Sequence, residues 1–453
     1  AADVTFADGA DIITASAGTS NVRVGVNAGN SIASGGDYNV AVGDEAGTAL
    51  TTGDGNSALG YLSLSSDTLG RLSTAIGSNA LQNQNFTTAT DTYNVAVGHK
   101  AGLSVTTGTF NTLIGGLSGD ALTVGNKNTA LGYNTLSADT KGDRNVAIGT
   151  DALASQNFTT STDSYNTAVG MNAGLSVTTG VSNTLIGGLA GDALTDADFN
   201  VAIGMQALTA DTLGSRSVAI GLEALATQNF TTATDAYNTA VGAGAGQAVT
   251  TGAFNTLIGG LAGDALTDGY DNVAVGKGAL STEDRGAKNT AIGHEALTTQ
   301  NAGTGNTHNT AVGASAGAAV TTGVNNTLIG YDAGGSMTTG NANTAVGLSA
   351  LGNATVTGAD NTAIGVGAGY SLTSGSNNLF LGHDSGRTGS PGGNITTASN
   401  EIGLGDENIS AANIQVDWTV ASDQRDKTDF TDLDLGLDFV KALAPVTYKW
   451  DKR

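Results

Sequence analysis

A five-residue unit that recurs through most of the chain is the strongest constraint on its fold. Each copy runs from an asparagine through three mostly apolar residues to a glycine, as in the run from Asn111 to Gly115. Examples of these copies begin at Asn39, Asn94, Asn111, Asn128, Asn145 and Asn166. The copies continue to Gly382, where we predict that the unit is shifted by one residue. A short fixed period predicts stacked structural repeats.

The spacing of the copies has two levels. Most copies start 17 residues apart, and every fourth step is 21 residues long. Asn94, Asn166 and Asn238 are therefore related by a period of 72 residues, and Asn309 follows one residue early. The near-identity of the successive 72-residue segments indicates duplication of a block of four repeats.

The residue types of the repeat favour β-structure. The chain has 68 glycines and only 2 prolines among 453 residues. Glycine costs roughly 1 kcal/mol at an interior helix position, and β-branched residues, which favour strands, occupy the recurring sites. Each unit combines a short strand, a glycine turn, a second short segment and a polar turn such as Thr106-Thr107-Gly108. We predict an all-β solenoid with two strands per turn and rungs of about 17 residues.

Both faces of the predicted strand are apolar. Alternation sends the third residue of the unit, such as Ala96, to one side and the fourth, such as Val97, to the other. A single roll has one interior, so the second apolar face must be buried against another molecule. We therefore predict self-association. The first-position asparagine, replaced by Ser73 and Ser217 in two rungs, is predicted to form a hydrogen-bonded ladder along the stack.

The charge balance restricts the partners. Acidic side chains number 40 and basic ones 17, which gives a formal net charge of −23. Such a chain repels nucleic-acid phosphates and anionic membrane surfaces. We expect no nucleic-acid binding and no membrane insertion, since no apolar run reaches the roughly 18 residues of a spanning helix. With 0 cysteines, the sequence has no disulfide and no thiolate metal site.

The repeat resembles the head repeats of trimeric autotransporter adhesins. The resemblance rests on the unit Asn-x-Ala-(Val/Ile)-Gly-x-x-Ala and covers roughly residues 21–382. In that family such units form a left-handed parallel β-roll, and three rolls associate side by side. The resemblance implies a homotrimeric fibre, while the 17-residue period is longer than that family's pattern.

The end of the chain resembles a second family. After Gly405 the glycine rhythm stops, and both tryptophans, Trp418 and Trp450, follow. Residues 422–427 and 436–450 resemble the opening of the intramolecular chaperone domain of endosialidase-type tail spikes and tail fibres, the peptidase S74 family. In that family the domain helps the trimer to fold and then releases itself by cleavage.

This second resemblance implies a self-cleavage site. The scissile bond corresponds to Ser422–Asp423, with Ser422 as the nucleophile and Lys427 as the base. A serine hydroxyl becomes a good nucleophile when a nearby base accepts its proton. Because the sequence stops at Arg453, before most of that family's helical domain, we expect this chain to stay uncleaved and the full-length product to be cleaved.

We predict four segments. Residues 1–20 form an N-terminal cap or lead-in, 21–382 the repeat β-roll, 383–421 a transition to the fibre end, and 422–453 a truncated chaperone domain. The predicted fold class is all-β, a left-handed parallel β-roll in a homotrimeric fibre, with a short C-terminal α/β segment.

Residue types that bind metals or hydrolyse glycans give no distinct site in the repeats. The four histidines are His99, His294, His308 and His383. They occupy variable positions without a partner at ligand spacing, which is typical of surface histidines. Asp120, Asp192 and Asp264 recur at equivalent rungs, whereas glycan hydrolysis needs a unique pair of carboxylates. We predict no cofactor, no metal and no polysaccharide hydrolysis in residues 21–382, with calcium between turn carboxylates as an alternative.

The lengthened rungs carry one aromatic motif three times. Residues 84–88, 156–160 and 228–232 each read Gln-Asn-Phe-Thr-Thr, and each leads to a tyrosine, at 93, 165 or 237. Loops on a rigid scaffold often carry recognition, so receptor contact is one interpretation. We favour another, in which the phenylalanine packs into a neighbouring subunit. Ice binding by threonines is disfavoured because adjacent ones such as Thr106 and Thr107 point to opposite faces.

These features predict a homotrimeric segment of a phage tail fibre or tail spike, located in the virion, that holds a host-binding end away from the particle. The expected partners are further copies of the chain, a host cell-surface receptor of glycan or protein nature, and other virion tail proteins. The alternatives are a bacterial trimeric surface adhesin, which would need a membrane anchor, and a capsule depolymerase of the tail-spike kind.

Overall fold

Strands and turns make up the described part of the chain. The computed structural model describes residues 17–303, 305–353, 355–413 and 415. Within these ranges every regular element is a β-strand, and no residue is helical.

A parallel sheet with one strand per rung is the main element. The chain divides into the unit Ala1–Asn408 and the unit Ile409–Arg453, and all described strands lie in the first. The main sheet has 22 strands. In chain order they are Val22–Val24, Val40–Val42, Ser57–Leu59, Thr74–Ile76, Val95–Val97, Thr112–Ile114, Thr129–Leu131, Val146–Ile148, Thr167–Val169, Thr184–Ile186, Val201–Ile203, Val218–Ile220, Thr239–Val241, Thr256–Ile258, Val273–Val275, Thr290–Ile292, Thr310–Val312, Thr327–Ile329, Thr344–Val346, Thr362–Ile364, Leu379–Leu381 and Ile402–Leu404.

Each strand pairs in parallel with the strands of the preceding and following rungs. The register keeps equivalent positions opposite each other, as with Ala96 and Leu113. With strands roughly 4.8 Å apart, the sheet is on the order of 100 Å long. The predicted parallel β-solenoid with rungs of about 17 residues is thus confirmed. Its left hand and its trimeric state stay predictions.

The predicted shift before Gly382 is wrong. Leu379 pairs with Thr362, and the amide of Asn378 donates to Asn361 Oδ1 at 3.0 Å. Asn378 therefore occupies the first position of an unshifted unit. The sheet then continues past residue 382 to its last strand.

The predicted second strand of each rung does not form. Its residues form turns instead, and their amides donate to the next rung, as Gly102 does to the carbonyl of Ser118 at 2.9 Å. Leu81 (φ 49°) and Gly102 (φ 60°) are left-handed at matching positions, and a strand needs negative φ. Four pairs of two-residue strands extend the long rungs: Gly70–Arg71 with Thr90–Asp91, Gly142–Asp143 with Thr162–Asp163, Gly214–Ser215 with Thr234–Asp235, and Gly286–Ala287 with Gly305–Asn306.

Large and small side chains complement each other inside the roll. The third residue of the unit, such as Ala96 or Leu113, is fully buried. A Cβ atom at Gly102 would lie 2.8 Å from Leu113 Cδ1 and 2.9 Å from Leu81 Cδ2. Glycine therefore makes room where leucines of the two adjacent rungs approach. Because glycine lies where these leucine side chains approach, the thin core stays closely packed.

The asparagine ladder closes each rung and joins it to the next. Asn111 Nδ2 donates to the carbonyl of Gly125 at 2.8 Å, and Asn111 Oδ1 accepts from the amide of Asn128 at 3.0 Å. In the rung where Ser73 replaces the asparagine, Gln84 Nε2 donates to Ser73 Oγ at 2.8 Å. The predicted ladder is present, and its bonds run mainly from side chain to backbone.

Candidate interaction surfaces and the C-terminal segment

The second and fourth residues of each unit form the outer face of the main sheet. The second is usually threonine or valine, and the fourth is isoleucine, valine or leucine. Fourth-position side chains such as Leu59, Leu131 and Ile364 are 46, 43 and 44 % exposed. No charged residue occupies either position in any of the 22 strands. The sheet therefore has one buried and one exposed apolar face.

Two columns of larger exposed side chains flank the outer face along the chain. One column follows the strand glycine and includes Tyr61, Tyr133, Met171, Met205 and Tyr331. The other column precedes the asparagine and includes Tyr93, Phe110, Tyr165, Phe199, Tyr237 and Phe254. We call the outer face together with these two columns the apolar ribbon. Its large side chains in the columns are about half exposed.

Rings in the second column stack on one another and on arginine. The ring centroids of Tyr93 and Phe110 are 5.5 Å apart, and those of Tyr237 and Phe254 are 6.0 Å apart. The guanidinium of Arg216 lies 5.8 Å from the centroid of Tyr237. Residues of adjacent rungs thus cover faces of these rings. This arrangement favours packing of the exposed ring edges against a protein over stacking of sugars on ring faces.

The phenylalanines of the long rungs are buried within their own chain. Phe86, Phe158 and Phe230 are only 6, 6 and 7 % exposed. A Cβ atom at Gly214 would lie 2.8 Å from the ring of Phe230, and the amide of Phe86 donates to Asp67 Oδ1 at 3.1 Å. The interpretation that these rings pack into a neighbouring subunit is therefore wrong. They anchor the long rungs to the solenoid.

Threonine hydroxyls in the turns link successive rungs by hydrogen bonds. Thr106 Oγ1 donates to the carbonyl of Thr123 at 3.1 Å, and Thr123 Oγ1 donates to the carbonyl of Thr140 at 2.9 Å. These hydroxyls satisfy backbone acceptors of the next rung. They are structural groups, which further disfavours an ice-binding array.

Four buried carboxylates, absent from the predictions above, recur at the 72-residue period. They are Asp67, Asp139, Asp211 and Glu283, all 0 % exposed. Asp139 Oδ2 accepts from Gln156 Nε2 at 2.7 Å, and Gln156 Oε1 accepts from Asn166 Nδ2 at 2.9 Å. Each network joins three rungs beside a long turn. The sequence pattern that predicts such a network is an acidic residue followed 17 residues later by glutamine. A separation of 17 residues places the two at equivalent positions in successive rungs.

These networks predict a specific pH dependence of stability. Burial raises the pKa of Asp139 and Asp211 above the ordinary 3.8, although hydrogen bonds from Gln156 and Gln228 oppose the shift. The folded state therefore binds a proton at a higher pH than the unfolded state does. The contribution of the two groups to the free energy of unfolding should rise as the pH falls through their raised pKa values toward 3.8.

We expect the double variant Asp139→Asn, Asp211→Asn to lose this contribution. The measurement is the denaturation midpoint of the wild type and the variant from pH 7 to pH 4, and the expected result is a flatter profile for the variant. Replacement of the exposed Asp91 by Asn is the control and should leave the profile unchanged. Parallel profiles for the wild type and the double variant would contradict the assignment.

All four histidines are exposed, as predicted. His383 differs from the others because its Nδ1 lies 3.0 Å from Asp406 Oδ2. Among the described residues, no helix is long and apolar enough to cross a bilayer.

The comparison with known families concerns the end of the chain. Residues 422–453 match the family model of peptidase S74, described as chaperone of endosialidase. The match covers 32 of the 453 residues. It coincides with the last of the four segments proposed from the sequence. No curated protein matches the chain.

The predicted cleavage residues lie in the matched segment. Ser422 is its first residue, and Asp423 and Lys427 follow. All three lie outside the described residues, as does the predicted short α/β segment. Their roles in self-cleavage therefore stay predictions.

Proposed function

We propose that this chain is a homotrimeric fibre segment of a phage tail fibre or tail spike that takes part in host attachment, and that its matched segment is a trimerisation chaperone. The observation that carries the proposal is the apolar ribbon. The solenoid supplies a long, regular support for it, and the chaperone-type segment supports a trimeric assembly of the tail-spike kind.

The size of the apolar ribbon supports association. With a length on the order of 100 Å and a width of roughly 10 Å for the three strand residues, the outer face alone covers on the order of 1,000 Å² on each chain. Monomeric proteins rarely expose apolar patches larger than a few hundred Å². An interface of this area is typical of permanent complexes.

The periodicity of the apolar ribbon supports identical partners. A partner that packs along many rungs must repeat with the same rise per rung, and another copy of this chain does so by construction. Because the two flanking columns differ, side-by-side contacts would be heterologous. Such contacts form a closed ring when the rotation between copies divides a full turn. The resemblance of the repeats to trimeric adhesin heads favours three copies.

Light scattering during size-exclusion chromatography tests the assembly. We expect a mass three times the 44.5 kDa of one chain. The double variant Ile148→Lys, Ile220→Lys places charges on the outer face and should lower the mass to that of one chain, since buried unpaired charges are costly. The matched control Thr87→Lys, Thr159→Lys changes exposed positions in the long rungs and should keep the wild-type mass.

The outcome that rejects the proposal is a folded wild-type monomer at micromolar concentration. Circular dichroism of each variant separates loss of association from loss of fold. A folded double variant that keeps the wild-type mass would reject the apolar ribbon as the interface.

Self-cleavage of the full-length protein is the second part of the proposal. We expect the natural full-length product to lose the segment that begins at Asp423 once the trimer has formed. Release of the chaperone would leave the fibre kinetically stable, because the group that lowered its folding barrier is gone. Intact-mass measurement of the full-length protein and of its Ser422→Ala variant tests this. If both keep their full length, or both lose the same fragment, the role of Ser422 is wrong.

A further inference from the structure

The last turns of the solenoid contain a cleft that does not recur in the repeats. Its volume is about 360 Å³, within the range of small-ligand sites. It lies where the step between rungs lengthens to 23 residues, from Asn378 to Glu401. Its walls come from consecutive rungs and include Tyr370, His383 and Asp406. Such a break in a regular stack creates a surface that the repeats do not provide.

Contacts within the chain hold the polar side chains of the cleft in place. His383 Nδ1 and Asp406 Oδ2 are 3.0 Å apart. The guanidinium of Arg387 donates a hydrogen bond to the carboxylate of Asp384 and lies 4.5 Å from the ring centroid of Tyr370. The hydrogen bond from His383 lowers the pKa of Asp406 below its ordinary value, so this group remains an ionised acceptor at mildly acidic pH. Fixed side chains reduce the entropy cost of binding.

The mixture of donors and acceptors identifies the ligand class. Asp384, Asp406 and Glu407 provide carboxylate acceptors, and Arg387 provides donors. Because Nδ1–H of His383 donates to Asp406, its Nε2 is a further acceptor. Three carboxylates against one guanidinium disfavour an anion. Among the described residues, no group of three or more histidine or acidic side chains could hold a metal ion. Hydroxyl groups both donate and accept, so a neutral polyhydroxylated ligand matches this lining.

We propose that this cleft binds a neutral saccharide through hydrogen bonds from its hydroxyl groups to the carboxylates and to His383 Nε2, and from Arg387 to its oxygens. The inference rests on the proposed attachment function and names its receptor class. His383 and Asp406 follow the strand glycines, and Arg387 belongs to the turn segment after His383. His383 and Asp406 therefore continue the first flanking column, but the apolar side chains of that column end at Val366. The cleft lies beside the last rungs, beyond the apolar part of the column.

Saturation-transfer NMR on the whole chain tests the inference. The probes are glucose, galactose, mannose and N-acetylglucosamine, with glucosamine and glucuronic acid as charged comparisons. We expect at least one neutral sugar to bind with a Kd on the order of 1–10 mM, as befits a ligand of about a dozen heavy atoms. The variants Asp406→Asn and Arg387→Ala should each weaken that binding about tenfold or more, the loss expected for a charged hydrogen-bond partner.

The matched control is His294→Ala, which changes an exposed histidine that lies 3.7 Å from Glu295 in the repeats. This variant should bind the sugar as the wild type does. No saturable signal from any of the neutral sugars, equal weakening in the control and the cleft variants, or tighter binding of glucosamine would each overturn the inference. The mass of the same samples keeps this result separate from the proposed function: a trimer without sugar binding rejects only the saccharide site, and a monomer that binds sugar rejects only the assembly.

Discussion

Replacement of Gly187 by alanine is expected to destabilise the solenoid more than any conservative change on its surface. Gly187 ends a strand with φ +138°, and a Cβ atom there would lie 2.4 Å from the carbonyl oxygen of Gly204 in the next rung. Side-chain-bearing residues scarcely adopt this backbone conformation. The contact is with backbone, so the rungs must separate to relieve it. We expect a loss of about 3 kcal/mol or more in the free energy of unfolding.

The adjacent residue provides a matched control for this prediction. Gly188 has no atom within 4 Å of its Cβ position and lacks a positive φ. Gly188→Ala should therefore be neutral or stabilise the fold by up to about 1 kcal/mol, because alanine restricts the unfolded chain. Chemical denaturation of both variants is the measurement. Equal effects of the two substitutions would show that rung stacking does not depend on the glycine column.

Replacement of Asn255 by alanine is expected to open the stack locally. Asn255 Nδ2 donates to the carbonyl of Gly269 at 2.8 Å, and Asn255 Oδ1 accepts from the amide of Asn272 at 3.0 Å. Asn255 is fully buried, so its loss leaves a donor and an acceptor without partners and without water. Each such group costs about 1–3 kcal/mol. We expect a total loss of roughly 2–6 kcal/mol.

Hydrogen exchange locates this effect. The amide of Asn272 should lose much of its protection in Asn255→Ala, while amides several rungs away should keep theirs, because each rung contacts mainly its neighbours. The exposed Asn83 is the control, and Asn83→Ala should change neither stability nor exchange at Asn272. Unchanged protection of Asn272 in the Asn255 variant would contradict the structural role of the ladder.

The sequence alone was sufficient to predict the parallel solenoid, the asparagine ladder and the exposed apolar face. Each of these depends on what one residue type can do at a fixed place in the rung. Gly187 permits a backbone conformation closed to other residues, Asn255 bonds in two directions, and period-2 alternation puts Ile186 outside when Leu185 is inside. Because each rung has the same local geometry as its neighbours, the repeat in the amino-acid sequence determines the fold of the roll.

Other features depended on contacts that the sequence does not show. The second segment of the rung forms turns because buried leucines such as Leu153 adopt φ 49°. Leucine in a sequence does not predict this left-handed conformation, which residues with a side chain seldom adopt. Phe86 is buried in its own chain because the two-residue strand pair folds the long rung back. Neither outcome follows from the spacing of residues along the chain.

The buried carboxylates and the cleft in the last turns show most clearly what the sequence determines and what only the tertiary structure decides. Asp139 and Gln156 are 17 residues apart, and they meet only because stacking turns that separation into one rung. His383 and Asp406 are 23 residues apart, and they meet because the last long step still returns the chain to the same edge of the sheet. The sequence by itself determined the rung and its register, since both are local and repeated. The tertiary structure alone decided which polar groups lose water and face each other, because burial depends on how successive rungs superimpose.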